Sequence, residues 1–268
     1  MVFDLGPALL FCPADRPERF AGALAKSDAV ILDLEDAVLP QAKAMARENI
    51  VAADGLDPDR VIVRVNDPAS AEFTADLEAL SESPFRTVMV AKTQSPSSLD
   101  AFATDYSVIA LCETAAGVLN AGPIAAHPRT VALMWGAEDL VASLGGMSSR
   151  FPDGRYRDVA RHARSTVLVA AAAHGRAAVD AVHLDIEDAE GLALEAADAA
   201  ASGFRATACI HPKQVAVIRD AYRPDPATVD WARAVLAAAQ SERGVFRFEG
   251  RMVDEPVLRH ARAVLARS

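Results

Sequence analysis

A (β/α)8 barrel is the fold this sequence predicts, and three observations predict it. Eight short apolar runs rich in β-branched residues recur along the 268 residues. Stretches of helical periodicity separate them, and most runs end on a polar or charged residue. The length suits one barrel of about 250 residues with a short extension, and in such barrels chemistry gathers at the C-terminal strand ends. An α/β enzyme is therefore expected before any motif is considered.

The expected strands are 9–12, 29–35, 61–65, 88–92, 108–113, 131–136, 181–186 and 206–210. At or just past their ends stand Asp15 and Arg16, Glu35 and Asp36, Arg64 and Asn66, Lys92, Glu113, Glu138 and Asp139, Asp185, and His211. Helices are expected at 17–27 (with Pro17 in the first turn), 40–53, 71–82, 113–127, 156–178 and 188–203. The fourth of these should break near Gly122-Pro123, and the last should stop on Gly203. The sixth connection opens with a long stretch, 139–158, in which Gly145-Gly146 permit movement. A long loop on the catalytic face either binds or covers substrate, or simply runs over the surface.

After the eighth strand a helix is expected at 226–242, completing a barrel domain of residues 1–242. Residues 243–268 form a helical lid extension that a barrel does not require. In it, Phe246 and Phe248 flank Arg247, Gly250 follows, and a short amphipathic helix begins after Asp254 and Pro256. Such a tail can pack on its own barrel or reach a neighbouring subunit.

Composition narrows the function. Against 37 acidic residues there are 27 Lys and Arg, a net charge of −10 that disfavours nucleic acid and anionic membranes as partners. An anionic substrate then needs a local basic pocket. Cys12, Cys112 and Cys209 have no CxxC spacing, which argues for a reducing compartment. Asp4 stands where a signal peptide carries positive charge, and no apolar stretch is long enough to span a bilayer, so a cytoplasmic protein is expected.

Two carboxylates carry the metal expectation. Glu113 ends the fifth strand and Asp139 follows the sixth; adjacent strands lie about 4.8 Å apart, so both can meet around one hard cation. One or two carboxylates with waters and substrate oxygens suit Mg²⁺, with Mn²⁺ as a substitute. The alternative is that each merely caps its following helix. No His or Cys cluster suggests zinc.

Arg64 lies inside a strand and needs an anion. That anion is Glu35 or Asp36 of the adjacent strand, a substrate carboxylate gripped through the guanidinium fork, or both together. Arg16, with Arg19 and Lys26, gives the first connection a basic character suited to phosphates, a weak signal by itself. Lys92 has the position of a Schiff-base lysine, which a metal pair on the next strands disfavours. Cys12 lacks a base partner and reads as a core residue. His211 is a candidate binding group, whereas His162, His174 and His183 read as structural. Dinucleotide, Walker and serine-hydrolase motifs are absent.

The segments FCPADRPERF (11–20), VILDLEDAV (30–38), VIVRVN (61–66), ALCETAAGV (110–118), WGAEDL (135–140), CIHPKQV (209–215) and FEGRMVDEPVL (248–258) together resemble the citrate lyase β-subunit-like proteins of the HpcH/HpaI aldolase and citrate lyase superfamily. The resemblance runs along nearly the whole chain and is nearest to stand-alone members acting on citramalyl-CoA and malyl-CoA. It implies a TIM barrel with Mg²⁺ on Glu113 and Asp139. It also implies Arg64 on the acid's carboxylate, with Glu113 and the backbone of Gly136 and Ala137 lining the same pocket. Asp15 and Arg16 would lie along CoA, which enters as part of the substrate. Asp254 would come from a neighbouring subunit's lid, in a homotrimer or dimer of trimers, as general base. VAKT (90–93) departs from the pattern, in which Pro often precedes the lysine.

The activity implied is carbon–carbon cleavage of a 3-hydroxyacyl-CoA to acetyl-CoA and a 2-oxo acid, or the reverse, with thioester hydrolysis as an optional further step. Glu35 and Asp36 join Arg64 and Asp254 as catalytic candidates. The other readings are a citrate lyase subunit acting on a carrier-protein thioester, a free 2-oxo-acid aldolase, and a non-catalytic barrel that binds CoA metabolites.

Overall fold

In the computed structural model, eight parallel strands close on themselves as the sequence predicts: β1 (Ala8–Pro13), β2 (Ala29–Asp33), β3 (Val61–Val65), β4 (Thr87–Val90), β5 (Ser107–Cys112), β6 (Thr130–Trp135), β7 (Ala177–Asp180) and β8 (Ala206–Cys209). Pairing of β1 with β8, through Leu10 and Cys209 among others, completes the ring. The structure describes residues 3–53, 55–242 and 244–267. The first two residues of the segment read for targeting, and positions 243 and 268 of the expected lid, lie outside that set. The chain forms two compact units, residues 1–218 and 219–268.

In the first unit the helices are α1 (Phe20–Lys26), α2 (Lys43–Val51), α3 (Phe73–Glu82), α4 (Ala115–Leu119), α5 (Ala121–Ala126), α6 (Ala137–Ser143), α7 (Asp158–Ala173), α8 (Ala189–Ser202) and most of α9 (Pro212–Tyr222). Between β4 and β5 only a 3₁₀ turn, Pro96–Leu99, spans the connection. The strand alternation explains the filling of the barrel. Leu9, Ile31, Ile62, Met89, Ile109, Leu111 and Met134 interlock in one buried cluster. Two residues further along their strands stand Phe11, Asp33, Arg64, Glu113 and Gly136. Period two therefore carries the inward face of the barrel directly into the polar mouth.

Three expectations change in this unit. The seventh strand is residues 177–180, not 181–186, and the helix expected to reach 178 stops at Ala173. Gly175, with φ of 64°, turns the chain out of the helix, and a short run of small residues becomes the strand. Asp185 is consequently an exposed loop residue and not a strand end, and His183 is a buried loop residue and not part of a strand. The break in the 113–127 helix falls at Asn120, which ends α4 and starts α5; Pro123 sits in the first turn of α5, where its missing N–H costs little. The sixth loop is pinned: Arg150 bridges to Tyr156, Arg157 N–H donates to the Ser149 carbonyl at 2.8 Å, and the Arg150 guanidinium ion-pairs with Glu195.

The second unit contains α10 (Pro226–Ala238), an antiparallel pair β9 (Phe246–Phe248) and β10 (Arg251–Val253), and α11 (Glu255–Leu265). Ala232 and Val235 of α10 pack with Val253, Ala261 and Val264, joined by Trp231, Phe246 and Phe248. The tail thus shares a small apolar core with the helix before it. Both helices are capped by aspartate: Asp225 accepts from Thr228 N–H at 2.9 Å and Asp254 from Val257 N–H at 3.3 Å.

Candidate active site

The C-terminal ends of β2 to β6 bring together Asp33, Glu35, Asp36, Arg64, Lys92, Glu113 and Asp139. Arg64 is a strand residue whose neighbour in register on β2 is Asp33. Its Nε and one terminal nitrogen donate to the two Asp33 oxygens at 2.7 and 2.6 Å. Its other terminal nitrogen lies 3.2 Å from Glu35 Oε2. The ring of Phe11 lies beneath, its centroid 4.9 Å from the guanidinium carbon. Burial alone would weaken Arg64's hold on its proton, but Asp33 and then Glu35 more than reverse this, and its pKa rises further above the normal arginine range.

This corrects the expected pairing. Asp33, read only as part of an apolar strand, is the main partner of Arg64, and Glu35 is the second. Asp36 makes no bond to Arg64; its Oδ2 accepts from Lys92 Nζ at 3.2 Å. The cause is alternation. Asp33 shares the inward parity of Ile31, and the chain then turns back so that Asp33 also accepts the N–H groups of Glu35 and Ala37, at 2.8 and 3.2 Å. Two further bonds fix that turn: buried Lys43 donates to the carbonyls of Leu34 and Glu35, at 2.7 and 3.0 Å.

Lys92 stands at the centre of the cluster. Its Nζ donates to Glu35 and Asp36 and lies 3.3 Å from Asp139 Oδ1. Its backbone N–H donates to Glu113 Oε1 at 3.0 Å. Burial works against its charge, but the bond to Glu35 and the nearby Glu113 and Asp139 prevail, and the ammonium's pKa is raised.

Glu113 is buried at the end of β5, and its carboxyl is pushed up to about 8, first by burial and then by Asp139. A Cβ on Gly136 would stand 2.7 Å from Glu113 Oε2, so only glycine leaves room for that carboxylate. Asp139 occupies the first turn of α6 and is about one-third exposed, and no side chain caps the start of that helix. Ala137, buried, is the first residue of α6. A buried carboxyl whose proton affinity is raised by burial and by a neighbouring carboxylate, in a recess shaped around it, suits with that neighbour a hard divalent cation. Among the described residues no group of three or more His, Cys, Asp or Glu side chains forms a cage, consistent with an ion that keeps waters and substrate oxygens as ligands.

The other candidates have contacts of their own. Arg16 is half-exposed, 3.9 Å from Asp15, whose Oδ1 is buried without a hydrogen bond. His211 Nδ1 accepts the Lys213 N–H at 3.2 Å. Cys12 is buried and its thiol is pushed up to about 11 by that burial, as befits a core residue. Asp254 belongs to the second unit, where its placement is that of a helix cap. A separate network missed in the sequence lies at the ends of β6 and β7: Trp135 Nε1 donates to Asp180 at 2.6 Å, and Arg164 grips the same carboxylate.

A model of the family described as HpcH/HpaI aldolase/citrate lyase matches residues 8–212. The chain belongs to that family. Membership places it among the carbon–carbon lyases and aldolases. A citrate lyase subunit beta-like protein of Mycobacterium tuberculosis is 57% identical over 263 residues, covering 98% of this chain and 96% of the relative. The mitochondrial citramalyl-CoA lyase of Homo sapiens is 33% identical over 265 residues, covering 87% of this chain and 76% of the human protein. Among solved structures, that of CitE from Mycobacterium tuberculosis in complex with magnesium, acetoacetate and coenzyme A superposes with a TM-score of 0.92 at 56% identity, covering 98% of each chain. No described helix is long and apolar enough to cross a membrane.

Proposed function

We propose that this family member is a Mg²⁺-dependent lyase that cleaves a 3-hydroxyacyl-CoA thioester, such as citramalyl-CoA or malyl-CoA, to acetyl-CoA and a 2-oxo acid, or runs the reverse condensation. The observation that carries the reading is the meeting of Glu113, Asp139 and Arg64 at one mouth, two acids for a cation beside one fork for a carboxylate. The magnesium and coenzyme A bound by the Mycobacterium tuberculosis relative support it.

Glu113 and Asp139 would hold the ion. When bound, Mg²⁺ supplies Lewis-acid stabilisation of a substrate oxygen that gains negative charge. Arg64 has five N–H donors; Asp33 takes two and Glu35 stands 3.2 Å from the other terminal nitrogen, which leaves donors on the terminal nitrogens to hold the acid's carboxylate. Asp33 and Glu35 fix the plane of the guanidinium, so the carboxylate is oriented as well as attracted. Backbone groups of Gly136 and Ala137 line the same pocket, and Asp15 and Arg16 lie along the CoA. Asp254, from the tail of a neighbouring copy in a homotrimer or dimer of trimers, takes the proton of the substrate hydroxyl, because Glu113 and Asp139 are engaged as ligands. The carbon–carbon bond then breaks and the acyl-CoA half leaves as an enolate, which is protonated to acetyl-CoA. A cytoplasmic setting agrees with three buried free cysteines.

The test is to incubate the purified chain and Mg²⁺ with malyl-, citramalyl-, citryl- and hydroxymethylglutaryl-CoA. Cleavage of malyl-, citramalyl- or citryl-CoA to acetyl-CoA and a 2-oxo acid supports the reading. Binding without turnover across the whole panel contradicts it.

A further inference from the structure

We propose that Lys92 is the resident cation of the active-site mouth: its ammonium holds Asp139 in the metal-free protein and yields that carboxylate to a divalent cation. Its backbone N–H meanwhile keeps Glu113 aimed at the same place. This inference rests on Glu113 and Asp139 being the metal ligands.

The backbone is the first support. Lys92 has φ of 48°, in the left-handed region that residues with a Cβ rarely adopt, and such strain persists where the surroundings over-determine it. Glycine would meet the same backbone requirement at no steric cost. A lysine is found there instead, so its side chain is what the position needs. The turn also breaks the strand alternation. Val90 and Lys92 share a parity opposite to the inward Met89, yet the ammonium reaches the mouth and the N–H reaches Glu113 Oε1.

The second support is the count of partners. Glu35, Asp36 and Asp139 each face the ammonium: it donates to the first two and lies 3.3 Å from Oδ1 of the third. Across the mouth, the carboxyl groups of Asp33, Glu35, Asp36, Glu113 and Asp139 outnumber Arg64 and Lys92, so the metal-free cluster favours a further cation. An ammonium 3.3 Å from Asp139 Oδ1 competes with any divalent ion bound to that oxygen. The two contacts are therefore alternatives, and Glu35 and Asp36 remain to hold the displaced ammonium. On this view Lys92 is a positioning residue: it keeps the ligand pair assembled without metal, and it lowers metal affinity in return.

Lys92→Gly removes the ammonium while keeping the left-handed backbone and its N–H, and Lys92→Arg keeps the charge. Mn²⁺ binding to each substrate-free protein can be measured by electron paramagnetic resonance, with calorimetry for Mg²⁺ and melting curves with and without metal. Lys92→Gly should bind Mn²⁺ roughly threefold or more tightly than wild type, the size of a partly screened charge contact. Its melting temperature should also rise more on metal addition. Lys92→Arg should stay close to wild type. Unchanged or weaker binding by Lys92→Gly, or equal tightening in Lys92→Arg, overturns the proposal. Lys92→Met gives the same criterion if Lys92→Gly does not fold. Absence of Mn²⁺ binding by the wild type overturns the metal-site reading, and this inference with it.

Discussion

Asp33 and Arg64 are neighbours in register on two parallel strands, and their side chains meet through two hydrogen bonds at the barrel mouth. The pair is buried, so neither charge is held by water, and removing one partner leaves the other exposed to the full cost of desolvation. Asp33→Asn should destabilise the protein by about 3 kcal/mol, less than a total loss because Glu35 still touches Arg64. Arg64→Lys keeps the charge but not the fork, and it should weaken binding of the small acid far more than that of CoA. Denaturant melts and separate titrations with pyruvate and with CoA check both. Equal loss of both ligands in Arg64→Lys would count against the assigned role.

Gly136 is there for space. Gly136→Ala places a methyl group 2.7 Å from Glu113 Oε2, and the carboxylate must move. Metal affinity should fall about 10- to 100-fold, as when other supports of a metal ligand are changed. Calorimetric Mg²⁺ titration reads this directly, and an unchanged affinity would show that Glu113 is not a ligand.

A pH-dependent contact lies beyond β7. His183 Nδ1 is 2.9 Å from Glu195 Oε2, and that hydrogen bond raises the imidazole pKa above its ordinary 6.5 against an opposing effect of burial. In Glu195, burial is outweighed by His183 and Arg150, and the carboxyl pKa is lowered. The signs follow by linkage. His183's contribution is fully present below 6.5 and disappears as pH rises through its higher folded value. Glu195's is present above its ordinary 4.5 and is lost as pH falls through its lower folded value. The pair therefore stabilises most between those two ordinary values. An NMR titration should place His183 above 6.5 in wild type and lower in Glu195→Gln. An imidazole unaffected by that change would refute the coupling.

Asp254 caps a helix, and substitution can separate that cap from the proton-accepting role proposed for it. As the cap of α11 it accepts the Val257 N–H, and Asn caps a helix about as well as Asp. Asp254→Asn should then leave stability nearly intact while turnover falls sharply, whereas Asp254→Ala should also cost about 1 kcal/mol. Mixed oligomers of Asp254→Asn and Asp139→Ala chains should regain activity if the tail serves a neighbour. No recovery after demonstrated subunit exchange would confine the tail to its own chain.

Much of the barrel was legible because buried parallel strands read as apolar runs and the charges stand at their ends. The seventh strand was not, since Ala177–Asp180 carries the same small residues as the helix before it, and only Gly175 marks the change. Glu113, Asp139 and Arg64 announced themselves as charges at strand ends. Asp33 did not: it sits inside an apolar run, and its meeting with Arg64 depends on register, which a single strand does not reveal. Lys92 was visible, but its role was hidden because a left-handed turn carries it against the strand's alternation.

The most direct test of the account is the product balance of the purified wild-type chain on citramalyl-CoA, followed by mass spectrometry with Mg²⁺ and with excess chelator, beside Glu113→Gln. The account predicts equal amounts of pyruvate and acetyl-CoA only in wild type with metal. It also predicts no cleavage in chelator or in a Glu113→Gln protein that remains folded. Equal turnover in chelator, or free CoA with intact citramalate in place of pyruvate, would contradict a metal-dependent carbon–carbon lyase.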